Sequence, residues 1–400
     1  MSPHVLYISG EDHHLRIPFL VALRERGFRV TAAGTGDPSP FLLAGVDYRR
    51  FRFERFVNPF ADMNAIGALA RLLADMRPDI VQTCDTKPNL LVPLAARRVG
   101  DTRVVRLING RGWVYSSSSP KALALRPVYR ALHRLAARST VADVFENRDD
   151  QAFFSRHRMG GKLSLLIPGW VDIDGFDRVA AAGSSPVELR HEFGLDASEV
   201  VITVTRMTRH KGIPTLLKAA ALVHEARPGV RFLLVGPRES EGPLAITQSE
   251  IDRHAPYVQA IGPRSDVPAL LAVADVFAFP TEYREGMPRV LMEAALARLP
   301  IVTTTVPGCA EIVRDDWSGY LVPPRAPRLL AARILDLLDD RQKAGDMAIR
   351  ALQRVRRELG LEAIVDQFAA LYGKLLSGSA LGLSRTAVAS RSATSPVEVG

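Results

Sequence analysis

The sequence predicts an α/β protein with parallel sheets arranged in two halves, and three observations carry that reading. Short apolar runs of strand length alternate with longer amphipathic runs along most of the chain. The chain has 400 residues, which on a prior of about 150 residues per domain suggests two domains. Near its middle the alternation is interrupted by Gly169 to Phe176, which reads as an extended linker.

Val5 to Ile8 reads as a first buried strand, followed by the turn Ser9 to His14. Phe19 to Arg26 is helical and ends at Gly27, the residue type that tolerates the left-handed conformation after a helix. Phe28 to Ala33 is the next strand, Asn64 to Met76 a helix, Ile80 to Thr83 a strand and Asn89 to Val99 a helix. Val104 to Ile108 is a strand that runs into Asn109-Gly110-Arg111-Gly112-Trp113. Lys121 to Arg138 mixes basic and apolar residues at near-helical spacing, with Pro127 expected to break its start. The first half closes near Pro168.

Val200 to Thr205 opens the second half as a strand, and a helix from Lys211 to Ala226 follows. Phe232 to Val235, Val276 to Phe279 and Ile301 to Thr303 are further strands, and Val267 to Val273 is a helix. Leu329 to Leu338, Asp340 to Leu359 and Leu361 to Leu376 are helical. The expected organisation is a first domain over 1–168, a linker over 169–198, a second domain over 199–345, and helices over 346–376 that cross back to the first domain. Residues 377–400, rich in Ser, Ala, Gly and Thr, are expected to be a disordered tail.

Bulk properties exclude several classes. Two cysteines, Cys84 and Cys309, make no disulfide framework and point to a reducing compartment. No Cys or His spacing proposes a metal site. The start of the chain lacks a signal-peptide pattern, and no apolar run approaches the roughly 20 residues of a membrane span, so a cytoplasmic location is expected. The net charge of +9 is either a generally basic surface or an attraction to anionic lipid or a diphosphate-linked ligand. Nucleic acid is not expected, since no zinc-finger, RRM-like or other nucleic-acid motif occurs. A dinucleotide dehydrogenase and a P-loop kinase are disfavoured by the lack of their glycine-rich loops.

The most informative stretch is Glu285-Gly286-Met287-Pro288-Arg289-Val290-Leu291-Met292-Glu293-Ala294. It follows an apolar strand and leads into an amphipathic run. Pro288 fits the first helical turn, where no backbone N–H is needed. Glu285 then precedes the helix and Glu293 falls in about its second turn. Backbone N–H groups near Gly286 and Met287 would favour an anion, typically a phosphate. Carboxylates on either side of a phosphate site suit a ligand that carries both phosphate and hydroxyls, such as a nucleotide sugar. Arg206 and Lys211, after a strand and before a helix, are the cations available to a leaving diphosphate.

The segment from Asp275 to Pro324 resembles the retaining GT-B glycosyltransferases called group 1 or GT4. Their signature of two glutamates with seven residues between them reads here as Glu285 and Glu293. It sits within Pro280-Thr281-Glu282-Tyr283-Arg284-Glu285-Gly286-Met287-Pro288 and is followed by Pro307 to Val313 and Gly319 to Pro324. The ordered set spans about fifty residues, and a looser likeness extends from about Val5 to Gly373.

The resemblance implies two Rossmann-like domains facing a central cleft and a metal-independent, retaining hexosyltransferase that needs no cofactor. It implies that Arg206 and Lys211 hold the donor diphosphate, that Glu285 meets the sugar hydroxyls and that Glu293 meets the ribose diol. Gly286, Met287, Pro288, Gly10 and Glu311 join the donor side, with Glu311 chiefly structural. Gly10 would either let backbone approach the diphosphate or be a plain turn glycine.

His13, His14, Asn109, Gly110 and Gly112 are acceptor-side candidates. Many members place a histidine where this chain has Asn109, which cannot act as acid or base. The loop from Asn109 to Trp113 resembles a subgroup acting on lipid-diphosphate-linked sugars. The implied partners are a nucleotide-sugar donor, UDP-linked by preference, and a polyprenyl-diphosphate-linked saccharide. Peripheral contact with anionic membrane on its inner face is also expected, from the charge and from the runs Arg49 to Phe56 and Lys121 to Arg138. The alternatives are a GT-B epimerase or phosphorylase, or a catalytically silent sugar-nucleotide-binding or scaffold protein of the same fold.

Overall fold

The structure, a computed structural model, describes residues 2–10, 13–54, 58–100, 102–116, 119–284 and 286–378. The expected tail beyond Gly378, Glu285 and the end of the basic run at Arg55 and Phe56 lie outside the described residues.

Seven strands form the first sheet: β1 (His4–Ile8), β2 (Arg29–Gly34), β3 (Asp47–Arg50), β4 (Ile80–Cys84), β5 (Arg103–Ile108), β6 (Ala142–Phe145) and β7 (Leu163–Leu166). Their order is β3-β2-β1-β4-β5-β6-β7, and every pairing is parallel. Six strands form the second: β8 (Glu199–Val204), β9 (Val230–Val235), β10 (Val258–Ala260), β11 (Val276–Phe279), β12 (Ile301–Thr304) and β13 (Tyr320–Val322). Their order is β10-β9-β8-β11-β12-β13, again all parallel. β1, β4 and β5 are buried along nearly their whole length because helices cover both faces of a parallel sheet.

Two expectations give way here. The segment after Gly169 is largely helical, with helices Ile173–Ala182 and Pro186–Glu192. Asp172 caps the first by accepting from the Gly175 amide at 2.9 Å, and Ser185 with Glu188 forms a capping box on the second. Pro127 does not break its helix, which runs from Pro120 to Ala137. The inward residues Tyr129, His133 and Ala136 anchor it tightly enough to carry one missing amide.

The chain crosses between the halves twice, side by side. Val171 donates to the Leu359 carbonyl and accepts from the Leu361 amide, both at 3.0 Å. The last helix, Leu361–Ser377, then lies in the core of the first domain. Phe368 meets Phe19 edge-on at 5.1 Å, Tyr372 meets Phe28 at 5.7 Å, and the Tyr372 hydroxyl donates to Gln82 at 2.8 Å.

Between β5 and β6 lies a fully buried ion pair. Arg106 holds both Asp143 oxygens, at 2.7 and 2.8 Å, and also donates to the Met159 carbonyl at 2.9 Å. Asp143 in turn accepts from the Gly161 amide at 2.6 Å. Both side chains have zero exposure, so removing one leaves the other charged in a dry interior. Asp143→Ala should therefore cost about 3–5 kcal/mol, whereas the paired replacement Arg106→Met with Asp143→Leu should cost less than the single change. Urea unfolding of the three proteins tests this, and a loss below about 1 kcal/mol in Asp143→Ala would show that the pair does not matter to stability.

Candidate active site

In each sheet the strand order reverses direction once, between β1 and β4 and between β8 and β11. Open α/β sheets bind ligands outside the carboxyl ends of the strands at such points.

At the first switch point Asp85 follows β4 with φ at 73° and ψ at 162°, a strained backbone region otherwise almost confined to glycine. It occupies the N-cap position of the helix Thr86–Val99 without capping it. Its carboxylate turns to the β1 side, accepting from the Ser9 hydroxyl at 2.7 Å and the Gly10 amide at 2.9 Å. The Gly10 amide expected to approach a diphosphate is thus engaged by Asp85. A Cβ at Gly10 would sit 3.6 Å from that carboxylate, an ordinary contact, which fits the plain turn reading. His13 opens the short 3-10 turn His13–Arg16, and His14 on it is exposed.

Asn109 ends β5 and reaches Asp85 at 3.5 Å and the Cys84 sulfur at 3.6 Å. Gly110 and Gly112 have φ of +139° and +69°, so side chains there would be strained. Gly112 lies against Thr86, where a Cβ would approach the hydroxyl to 2.9 Å. Gly110 lies against the other half, 3.6 Å from the Arg284 carbonyl when a Cβ is placed on it.

That approach belongs to a seam joining the carboxyl ends of β5 and β6 to the loop before the helix Arg289–Leu296. Glu146, directly after β6, accepts from the Met287 amide at 3.0 Å. A Cβ on Gly286 would come within 2.3 Å of the Glu146 carboxylate and 2.6 Å of the Asn109 carbonyl, so only glycine fits there. Arg284 pairs with Asp149 at 2.8 Å. Asp149 and Asp150 also hold Arg111, which lies over the Phe153 ring at 4.1 Å. Glu311 follows the short helix Pro307–Ala310 and accepts from the Arg148 amide at 3.2 Å, so its carboxylate bridges the two halves. Burial pushes the Glu146 carboxyl up, against the pull of the Arg16 guanidinium and the Met287 amide.

The seam bears on the Met287 amide, one of the two expected to favour an anion. The Met287 amide does collect an anion, but the anion is a carboxylate of the opposite domain. Pro288 is the N-cap, with helix beginning at Arg289, because its ψ of 112° is extended. Glu293 falls in the second turn, half-shielded and paired with Arg289 at 3.0 Å.

At the second switch point Arg206 and Lys211 flank the exit of β8. Arg206 is about half exposed and bonds Glu241 at 3.1 Å. Lys211 closes the short turn Arg209–Lys211, with its ammonium 5.6 Å from the Tyr283 ring centre and 5.9 Å from that of Phe279. Gly212 next to it has φ of 73°, and a Cβ there would fall 1.9 Å from the Pro280 carbonyl. That contact holds the Lys211 turn against the end of β11, beside Thr281 and Glu282. Glu282 is held by the His210 carbonyl through its amide and by Thr215 and Arg325 through its carboxylate, at 2.9, 3.1 and 2.6 Å. Among the described residues no group of three or more His, Cys, Asp or Glu is placed to hold a metal ion.

Sequence reasoning passed over Glu146, Asp85 and Asp149. The available signal was position: Asp85 and Glu146 each come directly after a buried strand, at the edge where open sheets bind ligands.

Two family models match the chain, "Glycosyl transferase 4-like domain" over residues 19–156 and "Glycosyl transferases group 1" over residues 198–340. Among curated relatives, the chain is 24% identical over 351 residues to a Campylobacter jejuni N,N'-diacetylbacillosaminyl-diphospho-undecaprenol alpha-1,3-N-acetylgalactosaminyltransferase, covering 87% of this chain and 92% of that one. It is 26% identical to an Escherichia coli UDP-Gal:alpha-D-GlcNAc-diphosphoundecaprenol alpha-1,3-galactosyltransferase, covering 67% and 68%. It is 27% identical to a Mycobacterium tuberculosis GDP-mannose-dependent alpha-(1-6)-phosphatidylinositol monomannoside mannosyltransferase, covering 81% and 77%. Among solved structures, HepE of Anabaena in complex with UDP and glucose superposes with a TM-score of 0.74 at 20% identity, covering 92% and 99%. Sucrose-phosphate synthase of Thermosynechococcus elongatus gives 0.77 at 18%, covering 94% and 100%. With both halves matched in order and the two facing parallel sheets of that architecture, the chain belongs to the group 1 (GT4) glycosyltransferases of GT-B fold.

Proposed function

We propose that this glycosyltransferase moves a sugar, with retention and without a metal, from a nucleotide-sugar donor to a hydroxyl of a saccharide carried on polyprenyl diphosphate. The product would enter surface polysaccharide or glycan assembly, and UDP is the favoured carrier. The observation that carries the donor half is the pair of cations, Arg206 and Lys211, at the switch point of the second sheet. Cleavage of a sugar–diphosphate bond builds negative charge on the leaving phosphate, and fixed cations aimed there lower the barrier. Arg206 would exchange Glu241 for the diphosphate. Glu293 would accept from the ribose diol and Glu285 from sugar hydroxyls. The acceptor half is supported by the names of the Campylobacter and Escherichia relatives, both of which act on diphospho-undecaprenol-linked sugars. HepE, bound to UDP, supports the choice of carrier.

A lipid-linked acceptor calls for approach to a membrane, and we assign that contact to the first domain, on the inner face of the cell membrane. No helix among the described residues is long and apolar enough to cross one. The outward face of the helix Pro120–Ala137 carries Leu123, Val128 and Leu132, 47%, 54% and 38% exposed. Exposed Lys121, Arg134 and Arg138 border it. Arg126 and Arg130 do not point outward; both pack on Tyr115, Arg126 donating to the Val114 carbonyl and Arg130 to the Tyr115 hydroxyl. Phe60 and Met63, 85% and 58% exposed, begin the helix Pro59–Met76, whose start lies at the cleft end because it follows a parallel strand. Arg49, Arg50 and Arg52 are exposed along the edge strand and just after it. Apolar tips ringed by cations suit an anionic lipid surface.

Arg206→Ala and Lys211→Ala should each lose about 3 kcal/mol of transition-state stabilisation, roughly a hundredfold in turnover, with EDTA without effect. Full activity in both, or abolition by EDTA, refutes the site. Calorimetric titration with nucleoside diphosphate separates the glutamates: Glu293→Gln should weaken binding, whereas Glu285→Gln should leave it unchanged and damage transfer, and the reverse pattern exchanges their roles. In sedimentation with anionic vesicles, binding should be strong at low salt, fall at high salt and weaken in Leu123→Glu/Val128→Glu. Indifference to vesicles at low salt removes the membrane contact and leaves the donor site untouched.

A further inference from the structure

We propose that Glu146 is a positioning residue of the acceptor domain that builds the donor-sugar side of the site by holding the backbone at Gly286 and Met287 from across the cleft. The inference rests on the donor-site reading above. Four observations converge on it. The Glu146 carboxylate, itself buried, accepts from the Met287 amide at 3.0 Å. Gly286 has no room for a side chain between that carboxylate and the Asn109 carbonyl. The Gly169 amide, next to where the chain leaves the first domain, points at the Met287 sulfur at 3.1 Å. Asp149, three residues after Glu146, pairs with Arg284 at 2.8 Å on the outer edge of the same loop.

The loop before the helix Arg289–Leu296 thus has its fixings in the other domain. Its own helix offers little in their place, because Pro288 at the N-cap contributes no amide and no side-chain cap. Arg16 lines the same small pocket as Glu146, and its positive charge opposes the upward push that burial gives that carboxyl. The consequence is that the donor-sugar loop takes its shape only while the two domains are together. The nucleotide end of the donor, held by the second domain, does not need Glu146.

Three variants test this: Glu146→Ala, Glu146→Gln, which keeps an oxygen facing the Met287 amide, and Asp149→Ala, whose side chain is 45% exposed. Amide hydrogen exchange of the 284–288 segment and circular dichroism are followed alongside steady-state kinetics and UDP titration. In Glu146→Ala the segment should exchange about tenfold faster and kcat should fall about tenfold, with UDP affinity unchanged. Glu146→Gln should restore most of both, and Asp149→Ala should show the same split at a smaller size. Unchanged exchange at 284–288 in Glu146→Ala overturns the proposal whatever the turnover. So does a matching loss of kcat and UDP affinity, or a Gln variant as poor as Ala. If Glu146→Ala does not fold, unchanged exchange at 284–288 and unchanged kcat in Asp149→Ala overturn it equally. A wild type that turns over no nucleotide sugar defeats the donor reading and leaves the exchange result to stand by itself.

Discussion

The two halves depend on one constraint: the chain passes between them twice through the same spot. Val171 on the outward pass and Leu359 to Leu361 on the return share backbone hydrogen bonds. Two adjacent strands of chain restrict relative motion far more than a single linker would, because translation of one pass must carry the other. That shared line is the axis of the junction, and the bonds of Glu146, Asp149 and Glu311 across the seam tie the halves again. Everything at the cleft, from the Asp85 turn to the Lys211 turn, is set at a distance from this axis by rigid parallel sheets.

The cleft walls are chemically unlike. The second-domain wall presents cations at the exit of β8. The first-domain wall presents carboxylates, Asp85 and Glu146, at the exits of β4 and β6. Each carboxylate is engaged by backbone amides, Asp85 by Gly10 and Glu146 by Met287. Negative charge on that wall is therefore local and satisfied.

Much of this was legible in the sequence because parallel strands buried on both faces write themselves as apolar runs, as in Val5 to Ile8 and Val200 to Val204. The cation pair and the glutamate spacing could be read from the sequence because each falls within one short stretch of chain. The helix Ile173–Ala182 was not, since Gly175 interrupts its pattern and Asp172 could as well open a turn. The continuous helix through Pro127 was not, because the packing of Tyr129, His133 and Ala136 overrides a local preference. Glu146 was hardest: its partner is 141 residues away, and no local period or motif can announce a bond between a strand end in one domain and an amide in the other. The Arg206–Glu241 bond and the Arg148–Glu311 bond were hidden for the same reason.

The last helix carries a consequence for how the molecule comes into being. Phe19, Phe28 and Gln82 complete their contacts only with Phe368 and Tyr372, residues synthesised after the whole second domain. On the ribosome the amino-terminal domain must therefore wait, its aromatic surface open, while the whole second domain emerges and folds. The second domain has no such debt, since its two cores are closed almost wholly by its own residues, the exceptions such as Val171 and Phe176 having been made before it. Assembly thus runs against the order of synthesis: the half made first is finished last. A chain cut short before Leu361 would hold a second domain with its cores closed beside a first domain that exposes the patch left by its missing helix.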